Sequence, residues 1–430
     1  MAQSNAPQVE TSQTRVAEMR PCLLLISPRN SYRLAPYLKA AENIGIHVIV
    51  VSQGRHSLVS AVADGIHVDF QEIEQAYQQI LSAVKGNNII AVIGTDDLTV
   101  ELASGLSKTL GLVHNDLMAS RLTTRKDLSR ECLSATDLYV PRFEKRSIQS
   151  LIKTPVHGVG YPCVIKPLSL SGSRGVIRVN DDRELVNASS RIQSILLQEQ
   201  LAGQEKNTVL LEQYIPGYEY AFEGLLTDGK LQCLALFDKP DLMQGPFFEE
   251  TYYITPSRLD EQVRQQIHHT VQQACDAYGL RQGPVHAEMR IHDDKVWILE
   301  IASRTIGGQC ARLLKFATGR SLEEIIIRHA AGMEVKLANM DQAAGVLMIP
   351  ITQQGILRRV EGVLTASKIK YIKDVEISIS EGYELTPLPE GFSYLGFIFS
   401  KAPDPGKAED ALREAYSKLK VITSPVIRVQ

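Results

Sequence analysis

The chain has a single tryptophan in 430 residues, only six cysteines, and no excess of charge of either sign. It also lacks any apolar run near the ~18–20 residues needed to span a bilayer, so no membrane partner is expected. The cysteines, at 22, 132, 163, 233, 275 and 310, form no C-x-x-C pair. Several lie in apolar runs, which points to buried free thiols in a reducing compartment, not to disulfides or zinc. With 46 Lys+Arg against 49 Asp+Glu and a net charge of −3, there is no polybasic footprint and no nucleic-acid partner is expected. Residues 1–19 lack a signal-peptide core and read as a disordered polar leader. A soluble cytoplasmic protein is the expectation. Two familiar phosphate-binding signatures are also missing: no G-x-G-x-x-G follows the first strand, and no G-K-[ST] closes a Walker A loop.

What is present is a multidomain α/β and α+β pattern. Cys22 to Ile26, His47 to Val51 and Asn88 to Ile93 are short continuous apolar runs, as expected of buried parallel strands. A helix from Tyr32 to Ile44 separates the first two, and the third ends in Gly94-Thr95-Asp96-Asp97. This alternation predicts a doubly wound unit over 20–115. Residues 121–135 read as a basic helix. From Val140-Pro141 to about 230 the chain becomes strands and loops. Ser257 with Asp260 predicts a capping box, and Leu259, Val263, Ile267, Val271 and Ala274 follow at helical steps until Gly279. Ser321 and Glu324 give a second box, and a helix is expected near 407–420.

The most informative segment is Val285 to Gly308, VHAEMRIHDDKVWILEIASRTIGG. It predicts two strands around His292 to Lys295. His286, Glu288 and Arg290 share one face of the first strand, and Ile298, Glu300 and Ala302 one face of the second. Setting Glu288 opposite Glu300 requires a one-residue adjustment of the hairpin. Two carboxylates facing each other in an apolar sheet are costly unless a cation lies between them. Hard oxygen ligands suit Mg²⁺, which commonly accompanies substrate phosphates. Arg304 and Gly307-Gly308 follow at once, supplying positive charge and open backbone.

Upstream, Pro162-Cys-Val-Ile-Lys166-Pro167 is an apolar strand ending in lysine, followed by LSLSGSRGV. Ser169, Ser171, Gly172, Ser173 and Gly175 make a small loop rich in donors, of the kind that wraps phosphate oxygens. Arg125-Lys126 and Arg130 sit on the basic helix, which by itself reads as a solvated face. Val209 to Ile215 is a strand running into Pro216-Gly217-Tyr218-Glu219, an extended segment able to meet an adenine edge, with a carboxylate placed for ribose hydroxyls. Glu223 and the Phe247–Tyr253 segment, with Glu249 and Tyr253, carry acids and aromatics suited to an amino group and a side chain; packing alone accounts for them equally well.

In this order the motifs V-I-K-P, S-G-S-R-G-V, L-E-Q-Y-I-P-G-Y-E-Y, H-A-E and L-E-I-A-S-R followed by G-G resemble the ATP-grasp superfamily. Within it, GPFFEETYYITPSR and TPLPEGFSYLGFIFS resemble the L-amino acid ligases, including carnosine-synthase-like enzymes. The resemblance covers about residues 20–425. It implies an N-terminal α/β domain over 20–115, an ATP-binding lid and linker over 116–215, a catalytic core over 216–335 and a ligase-type C-terminal domain over 336–430.

The same resemblance implies roles. Lys126 and Lys166 would hold ATP phosphates, with Ser169–Gly175 as the lid loop. Glu212, Gln213 and Ile215 would frame adenine, and Glu219 the ribose. Glu288 and Glu300 would bind one or two Mg²⁺, with Mn²⁺ able to substitute. Arg304, with Lys166 and His286, would serve the chemistry, and Glu223, Glu249, Tyr253, Gly307 and Gly308 would line the substrate site. The family's E-x-N-x-R reads Glu300-Ile-Ala302-Ser-Arg304 here, which leaves the second metal without its usual asparagine. The implied reaction joins a small carboxylate and an amine, amino acids or similar metabolites, through an acyl phosphate. The resemblance also allows a homodimer. A carboxylase or formyl-transfer enzyme and a non-catalytic nucleotide-binding module are the alternatives.

Overall fold

In the computed structural model, the described residues are 20–426, excepting Asn30, 54–63, 156–157, Gln200, Ala202 and 338–340. The expected leader lies outside them. Four strands, β1 (Pro21–Ser27), β2 (His47–Gln53), β3 (Asp64–Val68) and β4 (Asn88–Gly94), form a parallel sheet in the order β3-β2-β1-β4. Leu23 and Leu25 of β1 enter one core, while Cys22, Leu24 and Ile26 enter another on the opposite face. Burial on both faces is why these strands read as unbroken apolar runs. Helix α1 (Leu34–Asn43) lies on the first face, and α2 (Ile73–Ala83) and α3 (Asp97–Thr109) on the second. The doubly wound unit therefore stands as expected. The basic stretch divides into α4 (Leu117–Leu122) and α5 (Lys126–Leu133).

A second sheet, in the order β5 (Phe143–Ser147), β8 (Thr208–Gln213), β6 (Cys163–Pro167), β7 (Ile177–Val179), is antiparallel. Helices α6 (Ile148–Lys153) and α7 (Asp182–Gln198) cover one face, packing Leu185, Ile192 and Leu196 against Cys163, Ile165, Val209 and Leu211. The alternate residues Lys166 and Glu212 are left for the other face, and both are buried.

The largest sheet has eight strands, running β13 (Lys295–Ala302), β12 (Gly283–His292), β9 (Tyr218–Thr227), β10 (Lys230–Lys239), β11 (Tyr252–Thr255), β14 (Ala343–Ile349), β18 (Gly396–Ala402), β16 (Ile372–Ile377). It continues without a break from the 216–335 segment into the C-terminal segment. Helix α8 (Glu261–Tyr278) covers one face through Ile267, Val271 and Ala274. Its N-cap is Asp260, which accepts the Val263 N–H. Ser257, expected to open the helix, instead donates its hydroxyl to Asp238. Helices α9 (Ala311–Thr318) and α10 (Leu322–Ala330), the latter capped by Ser321 as expected, join the core shared with α1. At the C-terminal end, β17 (Glu384–Leu385), β15 (Gly355–Glu361) and β19 (Lys420–Ser424) pair in a small sheet, and α11 (Val363–Ser367) and α12 (Pro405–Ser417) complete the segment. Among the described residues, no helix is long and apolar enough to cross a membrane.

Candidate active site

The hairpin of β12 and β13 sets the site. Asp293 and Asp294 both take positive φ, 49° and 55°, the backbone of a tight two-residue turn. His292 and Lys295 pair across it as strand residues. Glu288 pairs with Glu300, and Met289 with Ile298. The adjustment anticipated from the sequence is thus a β-bulge at Leu299. It corrects one expectation: Ile298 does not share a face with Glu300, but turns into the core with Val296 and Ile301. The bulged carbonyl of Leu299 accepts a hydrogen bond from Arg130 Nη2.

On the neighbouring strands, Lys239 ends β10 with its ammonium among three carboxylates. Its Nζ is 2.7 Å from Glu219 Oε1, 2.7 Å from Glu250 Oε1 and 2.9 Å from Glu288 Oε1. One buried cation shared by three acids leaves an excess of negative charge. Burial raises the Glu250 carboxyl to about 7, helped by the charge of Glu288. Burial also opposes ionisation of Glu288, but Lys239 and His286 outweigh it and hold its pKa well below the usual carboxylate range. Arg290 takes the other oxygen of Glu219 at 3.0 Å and donates to the Ile215 carbonyl at 2.8 Å.

A second buried cluster joins the four-stranded β5-β8-β6-β7 sheet to α5. Lys166 Nζ is 2.6 Å from Glu212 Oε2, and Arg130 Nε is 2.7 Å from Glu212 Oε1. Arg130 is 1% exposed, so the solvated-face reading of the basic helix fails there; a buried carboxylate partner makes that burial tolerable. Lys126 opens α5, donates to the Leu170 carbonyl at 2.7 Å and lies 3.9 Å from Glu300 Oε2. It ties the Gly/Ser loop to the hairpin. In that loop Gly172, Ser173 and Gly175 take positive φ, and Ser169 bonds Glu205. Ser171 is exposed. The Gly175 N–H donates to the Pro389 carbonyl at 3.1 Å.

After β13, the chain passes beneath the N-terminal domain. Arg304 donates from Nε to Asp97 Oδ1 at 2.9 Å and from Nη2 to Asp97 Oδ2 at 3.2 Å. Arg33 Nη1 lies 2.9 Å from the Thr305 carbonyl and 2.9 Å from the Ile306 carbonyl. The Gly308 N–H donates to the Tyr32 hydroxyl at 3.0 Å, and Gly307 lies beside Tyr32 and Arg33.

The structure therefore gathers Lys126, Lys166, Glu212, Glu219, Glu288, Glu300 and Arg304 around the hairpin and the inner face of the β5-β8-β6-β7 sheet. Glu223 is wholly buried; it accepts the Ile306 N–H at 3.0 Å and lies 3.4 Å from His286 Nδ1. His286 Nε2 is in turn 3.7 Å from Glu288. Tyr253 is buried with its ring 4.8 Å from Lys239 Nζ. Glu249 lies against the backbone of Ile351, and Glu250 is the acid of that segment that reaches the cluster. Gln213 is held at its side chain by Arg142. Lys239, Glu250 and Asp97 were not singled out from the sequence. For Lys239 a signal existed: F-D-K-P repeats V-I-K-P, an apolar strand ending in Lys-Pro.

The donor set fits Mg²⁺. Glu288 and Glu300 face each other across a strand pair and their oxygens are hard ligands; Glu219, Glu250 and Glu288, with oxygens all within 4.8 Å of one another, share Lys239. Ala302, fully buried, offers no donor at the third position.

Comparison with known proteins agrees with this geometry. Residues 159–312 match an ATP-grasp domain, and residues 347–424 match the L-amino acid ligase C-terminal domain 2. The crystal structure of L-amino acid ligase from Bacillus licheniformis superposes with a TM-score of 0.79 at 23% identity, covering 95% of this chain and all of that one. An uncharacterized protein y4rH of Sinorhizobium fredii is 22% identical across 95% of this chain and 84% of its own length. The alanine–anticapsin ligase of Bacillus subtilis strain 168 is 21% identical over 59% of this chain, and the match spans only 56% of that enzyme. The chain thus carries an ATP-grasp domain over 159–312 and an L-amino acid ligase C-terminal domain 2 over 347–424, on a fold shared with the L-amino acid ligase of Bacillus licheniformis.

Proposed function

We propose that the protein joins the carboxylate of one small metabolite to the amine of another, forming an amide or peptide bond through an acyl phosphate with release of ADP and phosphate. Amino acids or amino-acid-like metabolites are the proposed substrates. The observation that carries the reading is the pairing of Glu288 with Glu300, flanked by Lys126 and Arg304 and followed in sequence by a ligase-type C-terminal domain.

The chemistry calls for these groups. A carboxylate is a poor electrophile, and it becomes reactive once it carries a phosphoryl group as leaving group. Such transfers are promoted by positioning and by stabilising charge, with no need for a protein nucleophile. Lys126, Lys166 and Lys239 supply cationic contacts for phosphate oxygens, and the Ser169–Gly175 loop supplies N–H and hydroxyl donors. The Glu212–Ile215 segment frames the adenine, and Glu219 receives the ribose. Glu288 and Glu300 would hold Mg²⁺, which when bound neutralises phosphate charge. Arg304 meets the oxyanion that develops at the acyl carbon. Once Lys239 turns toward phosphate, Glu250 is left to receive the ammonium of an amine substrate, with Tyr253 at its side. His286, between Glu223 and Glu288, keeps Glu288 ionised and oriented.

Hydroxylamine capture tests the intermediate. With Mg·ATP and a carboxylate substrate, a hydroxamate should form in equal amount with ADP. Hydroxamate accompanied by AMP and pyrophosphate would mean an acyl adenylate and would overturn the reading. The match of residues 347–424 to a ligase C-terminal domain weighs against the carboxylase and formyl-transfer alternative, which bicarbonate- or formate-dependent ADP release would revive.

A further inference from the structure

In open α/β sheets, ligands bind outside the carboxyl ends of the strands, at the point where strand order reverses. In the N-terminal domain that point lies between β1 and β4, whose following loops carry Arg33 on one side and Asp96-Asp97 on the other. No dinucleotide motif stands there. The crevice instead grips the 304–306 segment of the catalytic core. Arg33 holds the main chain through the Thr305 and Ile306 carbonyls, and reaches the Thr305 hydroxyl at 2.8 Å. Asp97 holds the Arg304 side chain through both of its oxygens.

We propose that Asp97 is the positioning residue for Arg304, fixing the plane of its guanidinium and the edge it offers to the reacting centre. The geometry explains why a partner is needed. A guanidinium has five N–H donors in a rigid planar fork. Asp97 engages the Nε and Nη2 side, and Nη1 donates to the Thr305 carbonyl at 3.2 Å. Those contacts leave one N–H on each terminal nitrogen uncommitted, and Nη2 lies 3.9 Å from Glu300 Oε1. The uncommitted Nη2 donor is therefore the one nearest Glu300. Asp97 can do this because it is itself fixed. It is the first residue of α3, directly after the N-cap Asp96, which closes a capping box with Thr99 and is bonded by the Ser31 hydroxyl at 2.9 Å. The catalytic arginine of one domain is thus aimed by the helix start of another, so docking of the N-terminal domain completes the site.

The turnover arm of the test rests on the ligase reading; the chemical-modification arm does not. Phenylglyoxal, mapped by mass spectrometry, reports how firmly each arginine is held. In Asp97→Asn, Arg304 should be modified about tenfold faster than in the unaltered protein, while Arg130, paired with Glu212, keeps its rate and certifies the fold. Equal Arg304 rates in the two proteins would overturn the proposal. Asp97→Glu keeps the carboxylate one methylene out of place, and should fall between the two; it also serves if Asp97→Asn does not fold. In turnover, Asp97→Asn should lower kcat for ADP release about 10- to 100-fold with KM for ATP changed less than about twofold. Added to Arg304→Lys, it should have no further effect. A shift confined to KM, or effects that multiply in the double variant, would contradict a role exerted through Arg304. If the unaltered protein releases no ADP with any amino-acid pool, the ligase reading falls, and the modification rates alone decide the role of Asp97.

Discussion

Lys166 and Glu212 form an ion pair of 2.6 Å on the inner face of the β5-β8-β6-β7 sheet, with both side chains more than nine-tenths buried. Arg130 completes the cluster from α5, so one carboxylate serves two cations. Burial pushes the Lys166 ammonium down to about 8, against the attraction of Glu212 and with added repulsion from Arg130.

That shift has a sign that can be measured. Lys166 keeps its charge below about pH 8 and loses it as pH rises through that value. kcat/KM for ATP, which reports the free enzyme, should therefore decline above pH 8. Lys166→Arg should remove this alkaline limb, since a guanidinium does not titrate there. The folding linkage runs in the same window. Between about 8 and the ordinary lysine value near 10.5, the folded chain binds fewer protons at this site than the unfolded one, so this site's contribution makes stability rise with pH.

Arg130→Met tests the other half of the cluster. Removing one partner of a buried ion pair costs about 3–5 kcal/mol, and urea denaturation should show a loss of that order. Because Arg130 lowers the Lys166 pKa, the same variant should move the alkaline limb of kcat/KM upward. An unmoved limb would separate Arg130 from Lys166.

For the paired carboxylates, Glu300→Ala should lower ADP release steeply while only weakening nucleotide binding, and Glu288→Gln should do the same. A loss of about 10²- to 10³-fold in kcat is the expected scale for removing one group that stabilises transition-state charge. Calorimetric titration with Mg·AMP-PNP supplies the binding half of the comparison. Intact turnover in Glu300→Ala would break the assignment of Glu300 to the metal.

The Gly/Ser loop is fastened to the C-terminal segment. Gly175 N–H bonds the Pro389 carbonyl, Arg174 Nε bonds the Glu390 carbonyl at 3.1 Å, and Arg191 makes two 2.8 Å contacts to the Glu390 carboxylate. Both Arg191 and Glu390 are 43% exposed at the side chain, so Glu390→Ala should cost no more than about 1 kcal/mol. Gly175→Ala should be worse. Its φ is +72° and a Cβ would sit 2.9 Å from Pro167 Cγ, and left-handed backbone alone costs a non-glycine residue about 1–2 kcal/mol. Thermal melts and KM for ATP should rank the two variants in that order.

Much of the fold was legible because its periodicities are local, though α6 and the long α7 stand in a stretch that read as strands and loops. Unbroken apolar runs marked the parallel strands, and alternation marked the hairpin and its facing acids. The bulge was required by the count of residues between Glu288 and Glu300, but its place at Leu299 depends on the core that draws in Ile298. Arg130 was hidden for a different reason: its partner Glu212 lies 82 residues away in sequence, and a helix of basic composition looks solvated until that partner is found. Asp97 and Glu250 stayed silent likewise, since their significance lies in partners on other strands and in another domain. Glu249 and Glu250 are adjacent, and no pattern in the sequence decides which of the two turns inward.

The account stands most directly on nucleotide release. Purified protein with Mg·ATP and pools of amino acids and small amines should release ADP and phosphate in equal amounts, and only when a pool is present. AMP and pyrophosphate, or ADP release indifferent to every pool, would contradict it.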